Sequence, residues 1–398
     1  MFQSLDNTQY SKNTIKPDAI GLYIHWPFCL AKCPYCDFNS HVADHVDHTL
    51  WAQRLEQEMR TYAAMIGQKK LHSIFFGGGT PSLMKPETVA HLINTASALF
   101  TFTDDIEITL EANPTSIENA KFADFKAAGI NRVSIGIQAL NEEDLKFLGR
   151  EHSAEDALNA LKIADRHFER FSFDLIYARP HQDLKSWEVE LTEAIKYAKG
   201  HLSLYQLTIE QGTAFYTRHQ RGDFQIPNAD YAGDLYEMTL DITAQAGLPA
   251  YEISNHAALG QESRHNLTYW QYMDYIGIGP GAHGRISLNN GKNATRGHRA
   301  PDIWLQRVQE HGHGSHEFEA ITPNEQIDEI IMMGLRLKHP IPFDRLETLG
   351  QCDIDRLIDL EKIKMLSHEG YLTLTEDHLQ TTEAGWQRLN SMLPLILK

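Results

Sequence analysis

The chain has 398 residues, 42% of them apolar and 22% charged, which is enough apolar side chain for one large domain with a smaller one beside it. A formal net charge of -17 excludes general affinity for nucleic acid and for anionic membrane, both of which are polyanions, and no apolar run approaches the roughly 18 residues that a stable membrane span needs. Four cysteines, three of them clustered, make no disulfide framework, and with a polar start lacking an apolar secretory core they predict a reducing, cytoplasmic setting.

Residues 1–19 read as an N-terminal extension. Six short runs rich in apolar, β-branched or aromatic residues then recur, at 20–26, 72–76, 106–111, 132–138, 171–177 and 202–209. Segments of helical periodicity alternate with them, at 50–65, 86–99, 154–168, 184–198 and 230–246. Strand alternating with helix predicts a parallel α/β sheet over 20–250, either doubly wound or curled into a barrel, and spacing does not choose between these.

The pattern changes over 251–320, a barrel-edge and connecting segment. Here 251–256 reads as one more strand, 264–270 as a loop, and the glycine-rich 277–284 as tight turns without the Lys-Ser/Thr ending of a phosphate loop. The histidine-rich 311–316 reads as a solvated linker. Over 321–398, amphipathic helices from Asn324 onward lead to 371–375 and 379–382, a hairpin. Helices followed by a hairpin resemble a small α+β winged-helix-like module.

Cys29, Cys33 and Cys36 stand with three and then two residues between them. Three thiolates at that spacing suit an iron–sulfur cluster better than structural zinc, which normally takes four protein ligands. A cubane held by three cysteines keeps one iron open to chelate a small molecule, for which S-adenosylmethionine is the obvious candidate. A zinc knot completed by a distant histidine, or three unrelated thiols, are the alternatives. Polar residues also gather where the strand runs end: Gly77, Gly78, Gly79 and Thr80, then Glu111, Gln138 and Asp174. Barrels and open α/β sheets build their sites there.

The cysteine run, with Tyr23 to Phe28 before it and Asp37 to Ser40 after it, resembles the signature of the radical S-adenosylmethionine superfamily, in the branch that contains oxygen-independent coproporphyrinogen III oxidase and the heme chaperones. The resemblance implies a partial (β/α)6 barrel with a winged-helix-like C-terminal domain. Glycines permit close approach of backbone to the amino-acid end of the cofactor, Glu111 can accept from an ammonium or a ribose, Gln138 offers both donor and acceptor, and Arg150 can fork onto a carboxylate. Asp174 lies inside an apolar run and needs a polar partner if buried. Each matches a cofactor contact of that branch, as do Tyr23 and Tyr35; an internal salt bridge is the alternative for Glu111 and Arg150.

Coproporphyrinogen oxidases carry a fourth cysteine two residues after the third, where this chain has Phe38. His265-Asn266-Leu267-Thr268-Tyr269-Trp270 resembles instead the H-N-x-x-Y-W motif of the heme-chaperone branch. An imidazole beside two aromatic rings is suited to ligate heme iron; the alternative is a structural loop with His265 hydrogen-bonded, and His256 and His283 are rival ligands. The resemblance thus implies a carrier rather than an enzyme, holding a [4Fe–4S] cluster, S-adenosylmethionine and heme, served by an electron donor and passing heme to an acceptor protein. Radical decarboxylation of coproporphyrinogen III is the alternative.

Overall fold

A computed structural model describes residues 19–43, 45–115, 118 and 120–397; the proposed N-terminal extension, 1–18 of it, lies outside the described residues. Six strands, β1 (Ala19–Trp26), β2 (Lys70–Gly78), β3 (Thr101–Ala112), β4 (Arg132–Gln138), β5 (Arg170–Tyr177) and β6 (His201–Gln206), lie side by side in chain order, each parallel to the next. Their near-continuous apolar runs follow from having helices on one face and the barrel interior on the other. The last is shorter than its apolar run suggests, because the chain leaves the sheet after Gln206.

The barrel stays open. Beyond β6 the short β7 (Asn255–Ala257) adds antiparallel, and beyond β1 the sheet continues through β8 (Tyr275–Ile278), β9 (His283–Leu288), β10 (Gly291–Arg296) and β11 (Glu319–Ala320). Of these, β8 pairs parallel with β1, and the rest are antiparallel. So the glycine-rich 277–284 is strand, turn and strand rather than turns alone: a side chain on Gly277 would collide with the His283 carbonyl. Likewise 264–270 is no loop but the helix Arg264–Trp270, capped by the Ser263 hydroxyl and packed on β1 and β2 with His265, Leu267 and Thr268 buried. Burial made it helical; seven residues are too few to show a period of their own.

The helix His48–Ile66, whose first N–H groups are accepted by Asp47, covers the join between β1 and β8–β9. Its Glu58 is 1% exposed and accepts from the Gly279 N–H at 2.8 Å, the Gly314 N–H at 2.6 Å and the Trp304 indole N–H at 3.1 Å. Burial outweighs those three donors and pushes its carboxyl up to about 7. The segment 311–316 is therefore not a solvated linker. Gly314 is tied to Glu58, and the buried Ser315 shares a 2.6 Å hydrogen bond with Tyr62.

A second apolar core joins Tyr272 to Ile327, Ile331, Leu346, Ile363 and Ile396. Its sheet comprises β12 (Ile341–Pro342), β13 (Leu372–Leu374) and β14 (His378–Thr381) in the order β12-β14-β13, so the expected hairpin is present. Arg285 on β9 clasps Glu329 of this layer through two nitrogens at 3.0 and 2.7 Å, and an Arg345 nitrogen donates to the Gln271 carbonyl at 2.9 Å. These contacts fix the small layer against the barrel.

Glu58 carries a sign that can be measured. The folded carboxyl holds its proton to about 7 and the unfolded one only to about 4.5, so this group contributes most below pH 4.5 and its contribution falls as pH rises towards 7. In chemical denaturation, the stability difference between wild type and Glu58→Gln should shrink by roughly 3 kcal/mol over that interval; a flat difference would show that Glu58 stays ionised.

Candidate cofactor site

The chain leaves β1 at Trp26 and turns at once into the cysteine loop. Phe28–Cys29 pairs with His41–Val42 as a two-stranded parallel ribbon, and the His41 N–H donates to the Pro27 carbonyl at 2.7 Å, so the loop's two ends are pinned together. Inside it, the Cys36 N–H donates to the Cys33 carbonyl at 3.1 Å. Asn39 ties the loop to the turn after the neighbouring strand β8 and to residue 299, its amide donating to the Pro280 and Arg299 carbonyls at 2.9 and 3.0 Å. Beneath the loop, Phe28 packs edge-on to Trp26 and Trp51, and Trp51 stacks flat on Trp304 at 5.2 Å.

The glycine run at the end of β2 forms the loop's seat. The Gly79 N–H donates to the Trp26 carbonyl at 2.7 Å and the Thr80 N–H to the Phe28 carbonyl at 2.8 Å. A Cβ on Gly79 would stand 2.7 Å from the Phe28 oxygen and 2.9 Å from its nitrogen, and Gly78 has φ 114°, open to glycine. Only bare backbone lets loop and strand approach so closely.

All three thiols are half-buried and face one cavity of about 160 Å³. The Thr80 hydroxyl donates to the Cys29 sulfur at 3.3 Å, an Arg150 nitrogen donates to the Cys33 sulfur at 3.4 Å, and the Cys36 sulfur lies 4.0 Å from the Ser40 hydroxyl. Burial pushes the Cys29 and Cys36 thiols up, and those hydroxyls oppose it. Three sulfurs converging on one cavity, two of them already supplied with donors, fit a cluster with three protein ligands, since hydrogen bonds to the sulfurs are among the protein's means of tuning one. The fourth cysteine, Cys352, belongs to the C-terminal part of the chain and does not line it.

Arg150 cross-links the cavity wall. Its second terminal nitrogen donates to Asn113 at 2.5 Å and to the Gly136 carbonyl at 2.7 Å, while its Nε is buried without a partner among the described residues. The internal salt bridge to Glu111 does not form. Glu111 accepts instead from the Gly78 N–H at 3.2 Å; burial, with Asp174 adding to it, pushes its carboxyl up to about 8. Burial likewise raises Asp174 to about 6, against donors on Ser203 and Ser134. Gln138, at φ 70°, ends β4 in the left-handed region, a strained backbone that turns the chain at the cavity wall.

The structure thus brings Cys29, Cys33, Cys36, Tyr35, Gly78, Gly79, Thr80, Glu111, Gln138, Arg150 and Asp174 to one cavity, and leaves two expected residues outside its lining. Tyr23 lies inside the barrel, bonded to His25 at 2.9 Å, its ring beside Phe75 and His265, which stack on each other at 5.1 Å. His265 sits towards the opposite end of the strands, 1% exposed, with Nδ1 on the Ser73 hydroxyl at 2.9 Å and Nε2 on the Tyr269 hydroxyl at 2.7 Å. Both ring nitrogens are engaged, which is the hydrogen-bonded structural alternative. His256 is also buried, on Thr243, and His283 lines neither cavity. Sequence reasoning missed Asn113 and Gly136; the run Ala112-Asn113-Pro114 directly after Glu111 was the available signal for the first.

The cysteine cavity adjoins a second one of about 840 Å³ between the barrel mouth and the C-terminal layer. Tyr35, Cys36, Phe38, Glu111, Gln138 and Asp174 line both. Phe38, at the fourth-cysteine position, is 61% exposed and forms an apolar lip between them.

Residues 23–193 match the family model described as the Radical SAM superfamily, and residues 321–388 the HemN C-terminal domain. "Heme chaperone HemW" of Haemophilus influenzae is 36% identical over 95% of this chain and 98% of its own length, and its Escherichia coli counterpart 36% over 96% and 99%. The mouse mitochondrial "Radical S-adenosyl methionine domain-containing protein 1" is 41% identical over 95% of this chain and 87% of its own. The solved coproporphyrinogen III oxidase of Escherichia coli shares the fold, with TM-score 0.80 at 20% identity over 98% of this chain and 93% of that one. Membership of the superfamily implies a [4Fe–4S] cluster and S-adenosylmethionine as cofactors. The chain belongs to the HemW family of the radical S-adenosylmethionine superfamily.

Proposed function

We propose that this protein is a cytoplasmic heme carrier: it binds heme, holds a [4Fe–4S] cluster on Cys29, Cys33 and Cys36 with S-adenosylmethionine beside it, and delivers heme to an acceptor protein. The observation that carries the reading is the cavity pair, a three-thiol pocket that shares Tyr35, Cys36, Phe38, Glu111, Gln138 and Asp174 with a space within the range of small-molecule and cofactor sites, in a chain matched over nearly its whole length by heme chaperones. No helix among the described residues is long and apolar enough to cross a membrane.

When bound, the cluster supplies an open iron for the cofactor's amino-acid end and, on reduction by an electron donor, an electron for its cleavage. The chain's own residues hold the cofactor. With the Gly78 and Gly79 N–H groups already given to Glu111 and the Trp26 carbonyl, the glycine carbonyls are the groups left to accept from its ammonium, and Glu111 and Asp174 from its ammonium or ribose hydroxyls, with Gln138 completing the wall. Arg150 acts from the side, donating to the Cys33 sulfur and fixing Asn113 and Gly136. Phe38 leaves the lip apolar where the oxidases place a thiol, which supports transport over decarboxylation.

Two measurements test this. Protein reconstituted anaerobically with iron and sulfide should take up heme stoichiometrically by absorbance titration, and should form no protoporphyrinogen from coproporphyrinogen III, S-adenosylmethionine and dithionite; turnover would make it a decarboxylase. Gly79→Ala, whose Cβ would press on the Pro27–Phe28 backbone, should keep the wild-type far-UV circular dichroism yet retain less than half the wild-type iron and sulfide. Full cluster content would mean that the glycine seat is not needed.

A further inference from the structure

The larger cavity has a charge asymmetry that the cofactor site does not explain. On the barrel side it is lined by Asp37, Glu111, Asp174 and Glu210. Among its described lining residues the one cation is Arg336, which the C-terminal layer contributes just past the helix Pro323–Gly334.

Arg336 is held from two sides and left with donors to spare. Its guanidinium lies over the Trp270 ring, 4.6 Å from the centroid, a cation–π contact that fixes its plane. One terminal nitrogen stands 3.8 Å from Glu252 Oε2, beyond hydrogen-bond length, while the other Glu252 oxygen is taken by the Ser254 N–H at 2.9 Å and the Asn255 amide at 2.6 Å. The Arg336 Nε and Glu252 Oε2 both lack a hydrogen-bond partner among the described residues. A guanidinium is a planar fork built to grip a carboxylate through two nitrogens, and this one is positioned without being used up. Near it the cavity wall carries aromatic surface, from Tyr236, which feels the Arg336 charge, and from Trp386.

We infer that Arg336 is the anchor for a carboxylate of the bound ligand. A planar ligand bearing acidic side chains, such as the two propionates of heme, enters with an acidic edge on Arg336. Its ring lies against the aromatic wall, and its other edge faces the cysteine pocket. Asp37 and Glu210 on the barrel side repel the acidic edge and so favour one orientation. Trp270, the last residue of the helix Arg264–Trp270, then positions the anchoring guanidinium and touches no iron. This rests on the heme-carrier reading, and the test separates the two.

Heme and heme dimethyl ester, which lacks free carboxylates, would be titrated into the reconstituted full-length protein. For wild type the ester should bind about 10- to 100-fold more weakly than heme, the worth of a charge-assisted hydrogen-bonded pair. Arg336→Gln should weaken heme by a similar factor and leave the ester unchanged, and Arg336→Lys should fall between them. Because the ester experiment uses the unaltered chain, a folding defect in Arg336→Gln does not decide the outcome. Equal affinities of wild type for heme and ester would overturn the anchor and leave the carrier reading standing. Absence of heme binding by wild type would overturn both.

Discussion

Two backbone hydrogen bonds set the geometry on which the site depends: Gly79 to the Trp26 carbonyl and Thr80 to the Phe28 carbonyl. They exist because neighbouring parallel strands β1 and β2 end level with each other, Trp26 opposite Gly78, and because nothing larger than hydrogen projects from Gly79. Once made, they place the first thiol beside the Thr80 hydroxyl and leave the glycine backbone facing the space above the sheet. Strand register, turn chemistry and cofactor geometry here are one constraint seen at three scales.

The rest of the wall is built by strand ends, as the fold class requires. Each carboxylate is expensive where it stands, for burial raises Glu111 to about 8 and Asp174 to about 6. A cationic cofactor bound beside them would offset that cost, since a sulfonium and an ammonium favour the ionised forms. Groups held away from their ordinary range inside a cleft are a common mark of a working site. The arginine plays the converse part, buried and spread over neutral acceptors, so that its charge reaches the Cys33 sulfur rather than being spent on an acid.

Much of this was legible in the sequence because the signals are local. Strand β4 and the helix Pro86–Leu99 fall where periodicity places them, and the cysteine spacing, the glycine run and the strand-end polar residues are each contained within a few positions. What was hidden depends on contacts between distant parts of the chain. Nothing in 264–270 says helix until β1 and β2 bury it, and nothing near Arg336 announces a cavity whose opposite wall comes from residues 35–38. The histidine motif shows the same limit. Its composition suits a metal ligand, but Ser73 and Tyr269 claim both nitrogens, and Ser73 lies 192 residues earlier in the chain.

The tether from Asn39 to Pro280 and Arg299 has a consequence for how the protein matures. It spans 241 and 260 residues, and Glu58 in the adjoining helix awaits donors 221, 246 and 256 residues further on. The cysteines emerge early from the ribosome, yet the loop that carries them acquires its support only after roughly three quarters of the chain has been made, β8 having slotted in beside β1. A topology of such high contact order closes late. Iron and sulfide therefore meet a supported loop only after those later residues have been made, and until then the three thiols lack the contacts that hold them together.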